Sequence, residues 1–186
     1  MRAFIAIPIP PNIKNLAASL QARLSQINTD VKWVEKDNYH LTLKFLGDVD
    51  QNTIENTCKH LDTITLDIPK FELRTNQIDF FPHAKRPRVI WLGISGDLPQ
   101  ANYLVDQIDD YLVNEGLELG RKRSFHLTLG RIRSGKGQKD LMAAILQLNN
   151  KLKEYSFIAN KLDLMESKLY TQGPIYRVYK SFEFRG

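Results

Sequence analysis

Two histidines in this sequence open the same tetrapeptide, His-Leu-Thr-Leu, at His40–Leu43 and again at His126–Leu129. In an extended strand, side chains two apart share a face. His40 and Thr42 then point one way and Leu41 and Leu43 the other. His126 and Thr128 oppose Leu127 and Leu129 in the same manner. Each copy offers an imidazole beside a hydroxyl, with leucines to anchor the strand on a core. Two imidazoles suit general acid–base chemistry, because one ring can be neutral while the other is protonated near pH 7. The neutral ring takes a proton from a nucleophile, and the protonated ring gives one to a leaving oxygen. Threonine hydroxyls can donate to nonbridging phosphate oxygens and hold the group in line. The chemistry requires neither a metal nor a nucleophilic side chain.

A lone histidine in a strand is more often structural than catalytic. The pair carries more weight. The chain has four histidines, His40, His60, His83 and His126. At a residue frequency of roughly one in twenty, threonine follows two places after both motif histidines by chance about once in several hundred. Arg131 lies close behind the second motif, where a cation could stabilise charge on phosphoryl oxygens. Phe45 falls on the leucine side of an ideal strand, so it reaches the histidine face only if the strand bends near Gly47. Arg121, Lys122 and Arg123, with Arg133, Lys136 and Lys139, have two readings: a track for an RNA backbone, or a solvated loop. His60 is placed at a helix end, where capping accounts for it. His83 sits in a proline-bounded polar loop with no partner visible in sequence. Trp33 and Trp91 lie in apolar strands and read as core. Two histidines with no acidic companion in either motif make a poor ligand set, so neither metal nor cofactor is expected.

The elements that must carry these residues follow from hydrophobic periodicity. Strands are expected at Phe4–Ile7, Val31–Val34, Tyr39–Leu46, Phe71–Phe81, Arg88–Ile94, Phe125–Ile132, Tyr155–Leu164, Ser167–Tyr170 and Tyr176–Phe184. Helices are expected from Pro11 through Leu24, over Thr53–Leu61, Leu98–Val113 and Leu141–Leu148. Interleaved helices with hairpin-like strand pairs favour an α+β fold over a doubly wound parallel sheet. The echo of one motif in each half suggests two pseudo-symmetric lobes, with no linker between them.

The 186 residues are 42% hydrophobic and 25% charged, which predicts a packed core and excludes global disorder. A net charge of +5 fits an anionic partner without demanding one. The single cysteine, Cys58, excludes an internal disulfide and a cysteine-based zinc site; it reads as a small buried hydrophobe. The apolar start is cut short by Pro8, Pro10 and Pro11, and no stretch has the length of a membrane span. A cytoplasmic monomer is expected.

The sequence resembles the two-histidine (2H) phosphoesterases, which carry two His-x-Thr-x motifs. Within them it looks like the RNA 2′,3′-cyclic phosphodiesterases, also called 2′-5′ RNA ligases. The resemblance runs from Arg2–Ile7 and Val31–Val34 through His40–Gly47, Arg88–Gly93 and His126–Arg131 to Leu164–Leu169 and Tyr176. It implies one domain spanning residues 1–186: two intertwined lobes of mainly antiparallel sheet, helices outside and the active-site cleft between. It implies hydrolysis of an RNA or oligonucleotide 2′,3′-cyclic phosphate to a 2′-phosphomonoester. His40 would be the proton donor and His126 the proton acceptor; Thr42, Thr128, Arg131 and Phe45 would bind substrate. Phe45 and Arg131 match positions that sandwich a nucleobase. Phe125 departs from the family, where proline commonly precedes the second histidine. Spacing alone leaves open which histidine is acid. It also leaves open a 2′-5′ oligonucleotide phosphodiesterase or ligase, and a non-catalytic RNA-binding module.

Overall fold

Five consecutive apolar residues, Ala3 to Ile7, make β1 (Arg2–Pro8) a strand buried on both faces. Pro11 sits in the first turn of α1 (Pro11–Leu24), where its missing N–H costs nothing. Then come β2 (Val31–Trp33), a single 3₁₀ turn at Lys36–Asn38, β3 (His40–Asp48) and α2 (Gln51–Ile64). The long antiparallel pair β4 (Phe71–Phe81) and β5 (Val89–Gly96) leads into α3 (Leu98–Asn114). The chain ends with β6 (His126–Ile132), α4 (Gln138–Asn149), β7 (Ser156–Ala159), β8 (Lys161–Tyr170) and β9 (Gly173–Glu183). Asp50 and Asp97 cap α2 and α3 by accepting from the backbone N–H groups of Thr53 and Gln100. This computed structural model describes residues 1–83, 85–117 and 124–186.

The strands form two antiparallel sheets, in the orders β3-β1-β8-β9 and β2-β6-β5-β4-β7. The fold is α+β and two-lobed, as the interleaved pattern predicts. The lobes are not successive halves. β1 belongs to the first sheet, β2 to the second, β3 to the first, β4 to β7 to the second, and β8 and β9 to the first again. Helices follow the same exchange. α1 leaves the first sheet yet packs beside β6 and α4, while α2 packs on β9 and against α3.

Three expectations are corrected. Tyr155–Leu164 is not one strand. The chain changes sheets at Asn160, so Phe157 pairs with Leu73 of β4 while Leu162 pairs with Phe182 of β9. Apolar alternation reads the same on both sides of that switch, because it records burial and not the partner. Ser167–Tyr170 is the far end of β8 and not a separate strand. His60 does not cap its helix. Its Nε2 contacts the Gln107 carbonyl at 3.2 Å and its ring stacks on Tyr111 at 4.1 Å, which ties α2 to α3.

Leu41 and Leu127 are fully buried, whereas Leu146 is exposed on α4. Chemical denaturation should show Leu41→Ala and Leu127→Ala each losing about 2–5 kcal/mol. Leu146→Ala should stay within about 0.5 kcal/mol of the parent.

Candidate active site

β3 and β6, the two motif strands, approach each other where the sheets meet. Leu41, Leu127 and Leu129 are buried in the core, which turns His40, Thr42, His126 and Thr128 to the opposite side. All four line one cleft of about 1050 Å³. Neither threonine hydroxyl has a hydrogen-bond partner among the described residues, so both are free for a ligand. Opposite His126 stands Gly93, where a side chain would press on the Trp91 ring at 3.1 Å. Although Phe125 precedes β6, its carbonyl still accepts from the Ile94 N–H at 3.0 Å, so strand entry is intact without proline.

Each motif strand slips by one residue just after its threonine. On β3, Thr42 pairs with Ala6 and Lys44 with Ile5, leaving Leu43 unpaired. On β6, Thr128 pairs with Trp91 and Gly130 with Ile90, leaving Leu129 unpaired. These bulges reverse the alternation beyond them. Phe45 therefore lies on the histidine face, not the leucine face: it pairs with Phe4, lines the cleft and is 67% exposed. The bend that brings it there begins at Leu43, ahead of Gly47. The same slip puts Arg131 on the cleft wall, pairing it with Val89. Phe45 and Arg131 each stand five places after their histidine, and the shared bulge makes them structural counterparts.

The two imidazoles have different surroundings. His126 Nδ1 lies 2.8 Å from the Ser124 carbonyl. A carbonyl only accepts, so the neutral ring carries its proton on Nδ1 and leaves a lone pair on Nε2. That is the form a proton acceptor needs. His40 is held by rings. Its centroid is 4.7 Å from Phe4 and 5.0 Å from Tyr176, whose edge meets it at 85°. His40 Nδ1 is enclosed without a well-formed hydrogen bond. Burial pushes its pKa down to about 4; the nearby Asn38 carbonyl opposes that, and the Lys14 charge adds to it. His126 is also lowered, chiefly by burial and further by Arg131, against the favourable Ser124 carbonyl. Both rings are thus neutral in the empty cleft at pH 7. An anion between them supplies the charge that restores a proton.

The sequence reading missed part of the cleft. Phe4 and Tyr176 form the seat under His40, and Trp91 with Phe81 forms its counterpart near His126, at centroid distances of 5.6 and 5.5 Å. Trp91 lies on the cleft face of β5 and outside the main core, a correction that follows from its pairing with Thr128. Trp33 is partly buried and also lines the cleft. The cross-strand position of Phe4 was the available signal, hidden because β1 is apolar on both faces. The tip of the β8–β9 hairpin forms another wall. It is held from the other sheet by Lys32 Nζ to the Gln172 carbonyl at 3.2 Å, and from the last residue of the 3₁₀ turn by Asn38 Nδ2 to the Pro174 carbonyl at 3.0 Å. Arg133, Lys136 and Lys139 are exposed and do not line the cleft, and Arg121, Lys122 and Arg123 lie outside the described residues. His83 is exposed, and Cys58 is only partly buried.

The repetition extends over nearly the whole chain. The family model described as LigT like Phosphoesterase matches twice, over residues 7–91 and 92–176. Each match carries one motif and the bulged strand that bears it. The chain belongs to this family. It is 35% identical to an RNA 2′,3′-cyclic phosphodiesterase of Methanocaldococcus jannaschii, covering 98% of this chain and 100% of that one. It is 29% identical to a Bacillus subtilis protein of the same name, covering 97% and 94%. Among solved structures, one from Thermus thermophilus superposes with a TM-score of 0.81 at 21% identity, covering 100% and 99%. Escherichia coli LigT complexed with 3′-AMP gives 0.77 at 20% identity, covering 100% and 98%.

NMR titration of the empty protein should place His40 near pH 4 and His126 below the ordinary 6.5. Both should move up when a nucleoside 2′-monophosphate is added. Between pH 6.5 and about 4 the unfolded chain holds a proton that folded His40 refuses. Stability is therefore full above 6.5 and lost as pH falls through that window. His40→Gln should flatten this slope in denaturation measured across pH.

Proposed function

We propose that this protein hydrolyses RNA 2′,3′-cyclic phosphate ends to 2′-phosphomonoesters, with the paired motifs as its acid and base. The observation that carries this reading is the convergence of two imidazoles and two unpartnered hydroxyls on one cleft. The names of the full-length relatives agree with it. His126 Nε2 takes a proton from water, whose oxygen forms the new bond to phosphorus. The P–O3′ bond breaks in line, and His40 gives its proton to O3′. The phosphate stays on O2′. The His126–Ser124 contact supports this assignment, because it fixes the lone pair on the catalytic nitrogen. His40 arrives neutral and gains its proton when the anionic substrate fills the cleft. Thr42 and Thr128 donate to nonbridging oxygens, Arg131 balances charge that grows on them, and exposed Phe45 offers a face to the terminal base.

One chain supplies both motifs, which suits a monomer acting as one domain over residues 1–186. No helix among the described residues is long and apolar enough to cross a membrane. A reducing, cytoplasmic setting accords with the free thiol of Cys58.

Activity on a 2′,3′-cyclic phosphate should persist in chelator, and chromatography should show only the 2′-phosphomonoester. His40→Ala and His126→Ala should each lower kcat by about 10²–10⁴. Full turnover in either variant would sink the reading, and RNA binding without turnover by the parent would favour a binding module instead.

The kcat/KM profile should be bell-shaped with its maximum below pH 6.5, because both free histidines are lowered. The kcat profile should sit at higher pH, since bound phosphate raises them.

A further inference from the structure

Lys32 and Arg131 stand directly opposite each other in the β2–β6 pair, and both line the cleft. Like charges directly across an antiparallel pair destabilise it. Among the described residues neither cation has an ion-pair partner, whereas Lys44, on β3 across the cleft, is paired with Asp109 at 2.6 Å. Lys32 is exposed and gives one hydrogen bond, to the Gln172 carbonyl. An ammonium has three protons, so two remain for a ligand. This uncompensated pair has the chemistry of an anion site beside the motif threonines.

Volume points the same way. Pockets that enclose one small ligand run from about 300 to 1000 Å³. This cleft, at about 1050 Å³, lies at the top of that range. A terminal cyclic phosphate held by the two motifs uses only part of it. Lys32 stands farther along, between Arg131 and the hairpin tip.

We propose that Lys32, facing Arg131, binds the internucleotide phosphodiester adjoining the terminal cyclic phosphate, so that the preferred substrate is an oligonucleotide end and not a cyclic mononucleotide. The inference rests on the phosphodiesterase reading above. Arg131 then stands between two anions, the reacting phosphoryl group and the next phosphate in the chain. Lys32 adds affinity for the second only.

The test compares kcat/KM for a 2′,3′-cyclic mononucleotide and a dinucleotide ending in a 2′,3′-cyclic phosphate. The parent should favour the dinucleotide. Lys32→Gln should lower the dinucleotide-to-mononucleotide ratio about tenfold, the scale of one charged hydrogen bond. The salt dependence of dinucleotide kcat/KM should become shallower by about 0.7 in log–log slope. Asn38→Ala loosens the same hairpin without removing a charge and should leave the ratio unchanged. An unaltered ratio in Lys32→Gln, or the same fall in Asn38→Ala, overturns the assignment. If the parent turns over neither substrate, the phosphodiesterase reading itself fails and takes this one with it. An active parent with an unaltered ratio in Lys32→Gln defeats the Lys32 assignment alone.

Discussion

Burial of the motif leucines is the constraint on which the cleft depends. Leu41, Leu127 and Leu129 are all in the core. A strand has period two, so a leucine committed inward commits the residues on either side of it outward. A slip of one residue in β3 or β6 would drive an imidazole into the core and a leucine into the cleft. Each buried leucine contributes about 1.5–3 kcal/mol, enough to fix which face is which. The bulges then act on that settled frame. By leaving Leu43 and Leu129 unpaired, they add one more residue from each strand to the wall, Phe45 on one side and Arg131 on the other.

Electrostatics distinguishes two tetrapeptides that are identical in sequence. His126 is oriented by a carbonyl, which fixes its tautomer; His40 is packed against Phe4 and Tyr176, which exclude water and leave its Nδ1 without a hydrogen-bond partner. The second environment is the more hostile to a proton, as the depression of His40 to about 4 records. In the proposed reaction this asymmetry favours His126 as base. It makes the acid conditional on an occupied cleft, so protonation follows binding. The cations near the rings work in the same direction, holding the imidazoles neutral until an anion offsets them.

The two sheets are clasped on both sides of the cleft. On one side α3 receives the buried Lys44–Asp109 pair and the His60 contact. Pairing inside the protein offsets the cost of removing both charges from water, and loss of one partner would leave the other exposed to that cost. On the other side Lys32 and Asn38 hold the hairpin tip by its carbonyls. The chain passes from sheet to sheet between these points, which links the distance across the cleft to the packing of both cores.

The sequence by itself determined the strand character of the motifs, their two-faced pattern and most element positions. These depend on local alternation and on nearby prolines, glycines and caps. It set His40 and Thr42 beside His126 and Thr128 as matching pairs, because repetition is visible without a fold. It left the face of Phe45 dependent on a bend, since a bulge is a mismatch between two strands and neither strand records it alone. It made Trp91 a core residue, since an apolar strand does not reveal which side meets a cleft. It ran Tyr155–Leu164 together across Asn160, since alternation does not say which sheet supplies the partner. Only the tertiary structure decided the aromatic seat of His40, the carbonyl beside His126 and the facing charges of Lys32 and Arg131. The aromatic seat and the facing charges are relations between segments far apart in the chain, fixed by strand register and by the meeting of two sheets; the Ser124 carbonyl lies only two residues from His126 and meets its ring through the local course of the backbone.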